Sequence, residues 1–503
     1  MPPKSRRAFA QATAMKHVPT HVGSGRRLTR SVGAALASLA CALLAGGCVS
    51  GGSSAASEPI DTEVQLASFD EVWRTVKEQH YDPETVGESW DRARETYRPR
   101  VAAAETKAEV RSVINDMLGT LGQSHFGVIP AESYEALEED DDGGGSGGGD
   151  GQTGLRVRLM DIDGSRRAVV VRVREGSTGH EAGVEPGWVL VEIDGKPVAD
   201  LIDRLAGIES GPARLETMAA LNIQRRLSGR VGSELELVAL DGADERRELS
   251  LPRGEAPGEL ATFGNLPPMP VVIDTQSLDQ GVGYFAFNIF LNPPRVIGAV
   301  RRATSAAQDA PGFVLDLRGN LGGIAGMTNG IAGFFTDRRG LSLGEMKTRT
   351  STIRLPVNPR RGAYLGPVAV LVDEASISSA EIMPAGMQQL GLARVFGVRT
   401  AGLALPSNVS RLPNGDGLQY VFASIVGPNG EPVEGEGVIP DTIVETTRED
   451  LVAGRDPVLE AAVAWLLQQG GDRPEPSAAG GSEAEVGAAT RSRVGVDVPV
   501  AAP

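Results

Sequence analysis

The sequence predicts an α/β protein that carries a small helical unit before its core and a mostly-β domain between the two. Helical apolar stripes occupy residues 58–134, short strands broken by glycines occupy residues 153–255, and strands alternate with helices over residues 256–469. The chain has 503 residues, of which 41% are hydrophobic and 23% charged. This composition is globular and excludes both wholesale disorder and a collagen-like repeat.

The charge balance disfavours one class of partner. The chain has 49 Lys and Arg against 65 Asp and Glu, for a formal net charge of -16. A nucleic-acid backbone requires a basic surface, so we expect no nucleic-acid partner.

Residues 1–48 have the pattern of an export signal. Basic residues and no acidic ones precede the apolar run Val32–Leu44, as in a secretory signal. Small residues then lead into Cys48, and this ending resembles a bacterial lipobox, which implies a lipidated cysteine and a periplasmic-face, envelope-anchored protein. An ordinary cleaved signal is the alternative. The run is short of the roughly 20 residues that cross a bilayer, so we expect membrane attachment through the lipid alone.

Cysteine and histidine usage argues against a cofactor. Cys41 lies in the apolar run and Cys48 is the predicted lipid site, so the mature fold has no disulfide. Beyond the predicted signal, the chain has three histidines, His80, His125 and His180. They lie far apart in sequence and do not have the spacing of metal ligands. We therefore expect no metal and no other cofactor.

The helical unit at 58–134 ends in a tight segment of small residues. Thr106 and Glu109 form a capping-box pattern before an apolar helical stripe. The unit then runs into Ser124 and His125. Residues 135–152 follow as an acidic, glycine-rich linker, since the run from Glu138 to Gly149 offers nothing to bury.

Residues 153–255 alternate as short strands and carry a recognisable set of motifs. The segments Arg174–Ser177, Ala182–Gly187 and Ile193–Val198 resemble a PDZ domain of the bacterial protease type. Such domains add an extended peptide to a sheet edge. The resemblance implies that the backbone near Gly154, Leu155 and Arg156 receives a C-terminal carboxylate. The alternative is that these strands only cover the next domain.

Residues 256–469 alternate apolar strands with helices, and residues 470–503 form a tail that we expect to be disordered. Such alternation implies a sheet with parallel strands, whose ligand site lies beyond the carboxyl ends of the strands. Two strand ends carry candidate chemistry. A turn of small residues around Ser378 opens a helix, and the glycine loop Asp316–Gly323 lets backbone approach a ligand.

Ser378 is the candidate nucleophile, because a helix N-terminus stabilises the negative charge that develops beside an attacking hydroxyl. A helix N-cap is the alternative reading of this serine. His125 is the imidazole best placed to act as its base, since His80 ends a helical stripe and His180 lies in the PDZ-like loop.

These motifs together carry a family resemblance. Ser124-His125, the loop Asp316–Gly323, Ser378 three residues before Glu381, and Val433–Asp441 resemble the serine peptidase family that contains tricorn protease and the tail-specific, or C-terminal processing, proteases. The resemblance covers nearly the whole mature chain and implies a crotonase- or ClpP-like core. The tail-specific branch has a lysine where this chain has Leu403, so the resemblance is to the tricorn-like branch.

Carried over, the resemblance implies a tetrad. Ser378 attacks the scissile carbonyl, His125 transfers the proton, and Ser124 links His125 to Glu434. The backbone N–H groups of Gly322 and Ser379 would hold the oxyanion. Ser376 and Ser379 are rival candidates for the nucleophile, and Glu436 is the rival of Glu434.

The predicted function is an exported serine endopeptidase that acts on unfolded or extended polypeptides. One alternative is a binding protein of the same fold that takes a peptide or a hydrophobic ligand without cleaving it. A crotonase-like acyl-CoA enzyme is a third class, which the export signal and the PDZ-like segment disfavour.

Overall fold

The structure is a computed structural model that describes residues 60–135, 150–206 and 212–470, together with the two-residue strand β1 (Ser38–Leu39). The predicted lipid site Cys48, the run from Glu138 to Gly149 and the tail after residue 470 lie outside the described residues. Within the described ranges, no helix has the length and apolar character that a bilayer crossing requires.

The helical unit packs three helices around one apolar core that includes Phe69, Trp90 and Met117. Thr106 and Glu109 form the capping box that the sequence predicts, each side chain accepting from the other's backbone N–H. The elements of the unit are α1 (Thr62–Gln79), α2 (Glu88–Ala102), α3 (Lys107–Gly119), β2 (Gly127–Ile129) and α4 (Glu132–Glu135).

Residues 150–206 and 212–254 form an antiparallel domain, called the sheet domain below. Its main sheet has the order β10-β9-β6-β5-β4, so β4 is an edge strand, and α7 packs along it. Its elements are β3 (Asp150–Gly151), β4 (Leu155–Ile162), β5 (Ser165–Val173), α5 (Thr178–Glu181), β6 (Val189–Ile193), β7 (Lys196–Pro197), α6 (Val198–Ala206), α7 (Pro212–Leu227), β8 (Gly229–Arg230), β9 (Glu234–Leu240) and β10 (Arg246–Pro252).

The core has the α/β architecture that the alternating pattern predicts. The elements of its first half are β11 (Glu259–Ala261), β12 (Met269–Val271), β13 (Ile273–Ser277), β14 (Gly283–Phe287), α8 (Pro293–Ala306), β15 (Phe313–Asp316), β16 (Gly322–Gly323), α9 (Ala325–Ala332), β17 (Ser342–Thr348) and β18 (Thr352–Pro356). Those of its second half are β19 (Val368–Val372), α10 (Ser379–Gln389), β20 (Arg394–Gly397), β21 (Ser407–Arg411), β22 (Gly417–Val421), β23 (Ala423–Val426), β24 (Thr442–Ile443), α11 (Arg448–Val452) and α12 (Pro457–Gly470).

The central sheet has the order β13-β14-β15-β19-β20-β24, and all of its pairs are parallel except β13 with β14. Helices cover both faces, which is why β19 is apolar and buried along its whole length. The carboxyl ends of β15 and β19 lie side by side. The loops that follow them carry the glycine segment and the Ser378 turn, as the parallel arrangement predicts.

The helical unit is joined to the core by a sheet of three strands. β2 pairs antiparallel with β22, with Val128 opposite Leu418. β1 pairs antiparallel with β16. Because β2 begins two residues after His125, the pairing of β2 with β22 brings the imidazole to the core from a position far away in sequence.

Candidate active site

Ser378 lies at a strained turn between β19 and α10. Its backbone has φ 59 and ψ -121, a conformation that L-residues rarely adopt. Such strain costs on the order of 1–3 kcal/mol and persists where the surrounding structure imposes it. The Oγ atom of Ser378 is buried and has no hydrogen-bond partner among the described residues.

The neighbouring serines are engaged in the fold. Ser376 Oγ donates to Leu317 O at 2.8 Å, and Ser379 Oγ donates to Gly323 O at 2.9 Å. Of the three serines in this turn, only Ser378 therefore has a hydroxyl that is unengaged and available for chemistry.

Glu381 holds the Ser378 turn from within the core. Its carboxylate accepts from the backbone N–H of Ser378 at 3.0 Å, of Gly402 at 2.7 Å and of Leu403 at 2.9 Å, and from Thr400 Oγ1 at 2.5 Å. Burial raises the pKa of Glu381 to about 7, and these donors oppose that rise. The sequence marks Glu381 only by its spacing from Ser378, and its backbone partners emerge only in the fold.

A hydrogen-bonded chain runs from Glu434 to His125. Ser124 Oγ donates to Glu434 Oε2 at 3.0 Å and lies 2.7 Å from His125 Nδ1. Glu434 also accepts from the backbone N–H of Ser124 at 3.3 Å and of Ala404 at 2.7 Å. The structure thus brings Ser124, His125 and Glu434 together across 310 positions of sequence.

The direction of this chain assigns the tautomer of His125. Since the Ser124 hydroxyl gives its proton to Glu434, its oxygen accepts from Nδ1–H of His125. The Nε2 atom then carries a lone pair, and it has no hydrogen-bond partner among the described residues. Burial, and secondly the charge of Arg214, lower the pKa of His125 to about 3. The imidazole is therefore neutral at neutral pH, as a general base must be.

The two reactive atoms are not hydrogen-bonded to each other, because neither His125 Nε2 nor Ser378 Oγ has a partner in the part of the chain that the structure describes. The consecutive residues Leu403 and Ala404 nevertheless connect the nucleophile turn to the Glu434 relay. Leu403 O accepts from the Ser378 N–H at 2.8 Å, and the Ala404 N–H donates to Glu434. Catalytic hydrogen bonds are often long without substrate and tighten when it binds.

Glu436, the rival carboxylate, lies apart from this chain. Its side chain pairs with Arg399 at 2.9 Å and is 64% exposed. Glu434 is the carboxylate that contacts Ser124.

The glycine loop packs directly against the nucleophile. A Cβ on Gly322 would lie 2.6 Å from Ser378 Cβ, so a side chain has no room there. The structure differs from the predicted pair of oxyanion donors at this position, since the Gly322 N–H donates to Asn320 Oδ1 at 2.9 Å. The Ser379 N–H, at the start of α10, has no acceptor among the described residues.

The residues predicted to bind a peptide carboxylate lie at the start of β4. Gly154 O accepts from the Arg174 N–H at 2.9 Å, and Leu155 O accepts from Gln224 Nε2 at 2.9 Å. The Arg156 side chain leaves the sheet domain and contacts the core. This second role of Arg156 has no local sequence signal, since its partners follow it by more than 160 positions.

The other two histidines have separate places. His80 Nε2 bonds Gln123 Oε1 at 2.8 Å, next to Ser124, and His180 is an exposed residue of α5. In the described part of the chain, no three His, Cys, Asp or Glu side chains cluster in a way that could hold a metal ion.

Comparisons with known proteins match this architecture. Residues 281–444 match the model of peptidase family S41, and residues 66–119 match the tricorn protease C1 domain. A tricorn protease homolog of Streptomyces coelicolor is 27% identical over 80% of this chain, which spans about a third (32%) of that protein. A carboxyl-terminal-processing protease of Synechocystis sp. is 24% identical over 74% of this chain and 79% of its own length.

Solved structures share the fold. The photosystem II D1 C-terminal processing protease superposes with a TM-score of 0.52 at 23% identity, covering 80% of this chain and 97% of its own. Mature CPAF complexed with lactacystin gives 0.54 at 15% identity, covering 81% and 98%. This chain therefore carries a tricorn C1 domain followed by a domain of peptidase family S41.

Proposed function

We propose that this protein is an endopeptidase that cleaves unfolded or extended polypeptides through Ser378, His125, Ser124 and Glu434. One observation carries the proposal. Among the residues that the structure describes, the relay from Glu434 through Ser124 leaves a neutral imidazole nitrogen without a partner, and the Ser378 hydroxyl is likewise unengaged at a strained turn. A pure binding protein has no need for this combination.

In the proposed reaction, Ser378 Oγ attacks the scissile carbonyl while His125 Nε2 takes its proton. The resulting imidazolium is stabilised through Nδ1–H to Ser124 and from there to the Glu434 carboxylate. His125 then gives the proton to the leaving amine, which departs as the acyl-enzyme forms. A water molecule, deprotonated by the same nitrogen, hydrolyses the ester and restores Ser378.

The oxyanion is stabilised by backbone N–H groups. Ser379 supplies the first donor, since its N–H begins α10 and has no acceptor within the described ranges. The glycine loop at Gly322 and Gly323 supplies the second, after a local change that frees a donor there. Each donor contributes roughly 3 kcal/mol to lowering the barrier.

The sheet domain acts in this proposal as a PDZ domain that recruits peptide. Its edge strand β4 and the adjacent helix α7 have the arrangement that strand addition requires. Gln224 donates to Leu155 O, and the backbone N–H of an incoming peptide would replace this donor. Export and lipid anchoring at Cys48 complete the proposal and rest on the sequence alone.

The test is hydrolysis of an unfolded protein, followed by mass spectrometry of the products. Ser378→Ala and His125→Ala should each lower kcat/KM at least about 10³-fold with an unchanged thermal transition. His180→Ala is the matched control, because it removes an exposed imidazole from outside the site, and it should cleave like wild type. A serine-directed phosphonate should label Ser378. Wild-type turnover by Ser378→Ala or His125→Ala would refute the assigned roles.

A further inference from the structure

Two arginines of β4 reach out of the sheet domain into the turn before the nucleophile. Arg156 Nη2 lies 2.5 Å from Asp373 Oδ2, and Arg158 forms a two-bond pair with Glu374 at 2.5 Å. The side chains of Asp373 and Glu374 are only 2% and 0% exposed. These acids immediately follow β19, so the sheet domain contacts the segment that leads to Ser378.

Arg156 touches the glycine loop as well. Its Nη1 donates to Arg318 O at 2.8 Å. A Cβ on Gly319 would lie 2.5 Å from Arg156 Cζ, so the guanidinium rests directly on the loop backbone. One side chain therefore contacts both segments that carry the proposed oxyanion donors.

Asp373 connects these two segments through its other oxygen. Oδ1 accepts from the Gly319 N–H at 2.8 Å and the Ala375 N–H at 3.1 Å, and Ser376 Oγ lies 3.1 Å from it. The Ile377 N–H also donates to Asn320 O at 3.1 Å. The spacing between the glycine loop and the Ser378 turn thus depends on the position of the Asp373 carboxylate.

A buried carboxylate holds such a position only when its charge is compensated. Among the described residues, Arg156 is the cation that forms an ion pair with Asp373. Without Arg156, Asp373 would be left with backbone and hydroxyl donors alone, and the loop would lose the guanidinium that rests on it.

We propose that Arg156 is a positioning residue, through which the sheet domain sets the spacing of the two loops that form the oxyanion hole. The inference rests on the proposed peptidase function. Arg156 does not contact the reacting atoms. It acts on the transition state through Asp373, Gly319 and the loops they hold.

The decisive variant is Arg156→Ala. We expect kcat for peptide hydrolysis to fall 10- to 100-fold with KM nearly unchanged, because an oxyanion donor acts in the transition state and its full loss costs about 10²- to 10³-fold. Guanidinium chloride at low millimolar concentration should restore part of kcat by refilling the site. Guanidinium generally destabilises folded proteins, so a merely structural defect would not recover.

Arg156→Lys keeps the charge but cannot make both contacts at once, so its kcat should lie between those of wild type and Arg156→Ala. This variant also keeps the inference testable if Arg156→Ala does not fold.

Two matched controls separate local positioning from docking of the whole domain. Arg172→Ala removes the exposed pair with Asp274. Arg448→Ala removes bonds to Gly187 O at 2.8 Å and Asp241 O at 2.6 Å, which also join the core to the sheet domain. Neither arginine contacts the oxyanion loops, so both variants should keep the kcat of wild type.

Several results would overturn the inference: a wild-type kcat in Arg156→Ala, a change in KM alone, no rescue by guanidinium, or an equal loss in Arg448→Ala. Phosphonate labelling of Ser378 distinguishes this failure from failure of the proposed function. If wild type cleaves peptide and is labelled by the phosphonate, and Arg156→Ala does both at an equal rate, only the role of Arg156 is refuted. If wild type neither cleaves peptide nor is labelled, the proposed peptidase function and the role of Arg156 are both refuted.

Discussion

At the scale of single residues, the direction of one hydroxyl governs the proposed chemistry. Ser124 can donate to Glu434 or to His125, but not to both at once. When Glu434 is ionised, it takes the Ser124 proton and leaves the lone pair of His125 on Nε2. When Glu434 is protonated, it becomes the donor, Ser124 donates to Nδ1, and Nε2 carries the proton. In the second arrangement His125 Nε2 has no lone pair, so it cannot accept the proton of Ser378.

This reasoning predicts how activity depends on pH. Burial raises the pKa of Glu434 above that of an exposed glutamate, with its backbone and Ser124 donors opposing the rise. As pH falls through that raised pKa, kcat should fall, whereas His125 itself gains a second proton only near its pKa of about 3. Glu434→Gln should lower kcat by about 10²- to 10⁴-fold and remove this acidic limb. The measurement is kcat against pH.

Glu436→Gln is the matched control for this profile. Its carboxylate is exposed and pairs with Arg399, so the variant should keep both the rate and the acidic limb. An unchanged acidic limb in Glu434→Gln would show that another group titrates.

At the scale of elements, the placement of His125 depends on how the helical unit docks on β22. Arg111 of α3 makes two bonds to Asp416, which precedes β22, at 3.0 and 2.7 Å. The Asp416 side chain is 1% exposed, and it also accepts from the Ala131 N–H at 2.9 Å. This buried pair and the pairing of β2 with β22 hold the segment that contains His125.

Arg111→Ala should therefore destabilise the fold and impair catalysis together. It leaves a buried carboxylate without its cation, which costs about 3–5 kcal/mol of unfolding free energy. Urea denaturation would measure the loss. Arg92→Ala removes a pair whose members are 68% and 94% exposed, so that variant should change stability by less than about 1 kcal/mol. Equal stabilities of the two variants would contradict the role given to Arg111.

At the scale of the whole molecule, buried ion pairs join the sheet domain to the core. Arg158 and Glu374 lie at this boundary with side chains 14% and 0% exposed. Thr217 of α7 adds a bond from its hydroxyl to Glu374 O at 2.5 Å. Because these contacts are buried, salt screens them much less than it screens surface pairs.

Arg158→Ala should lower the free energy of unfolding by about 3–5 kcal/mol, because Glu374 would stay buried without a cation. Calorimetry or urea denaturation would measure it. Arg172→Ala, which removes an exposed cross-domain pair, should cost less than about 1 kcal/mol. A result for Arg158→Ala no larger than for Arg172→Ala would mean that the pair does not hold the domains together.

Features that depend on neighbouring residues were predictable from the sequence. The capping box at Thr106, the apolar strand β19 and the helix that begins after Ser378 follow from local periodicity and backbone chemistry. The order of strands and helices likewise predicted an α/β core. The glycine loop ends in the short strand β16 (Gly322–Gly323) beside the nucleophile, and α9 begins at Ala325.

The tertiary structure decided which side chains are engaged and which are available. Over the described ranges of the chain, it left the Ser378 hydroxyl without a partner, placed Glu434 rather than Glu436 beside Ser124, and paired the Gly322 N–H with Asn320. It also directed the side chain of Arg156, whose backbone is the predicted peptide-binding group, to Asp373. Each outcome depends on residues that are distant in sequence meeting in a buried space, where every polar atom must find a partner or remain free for chemistry.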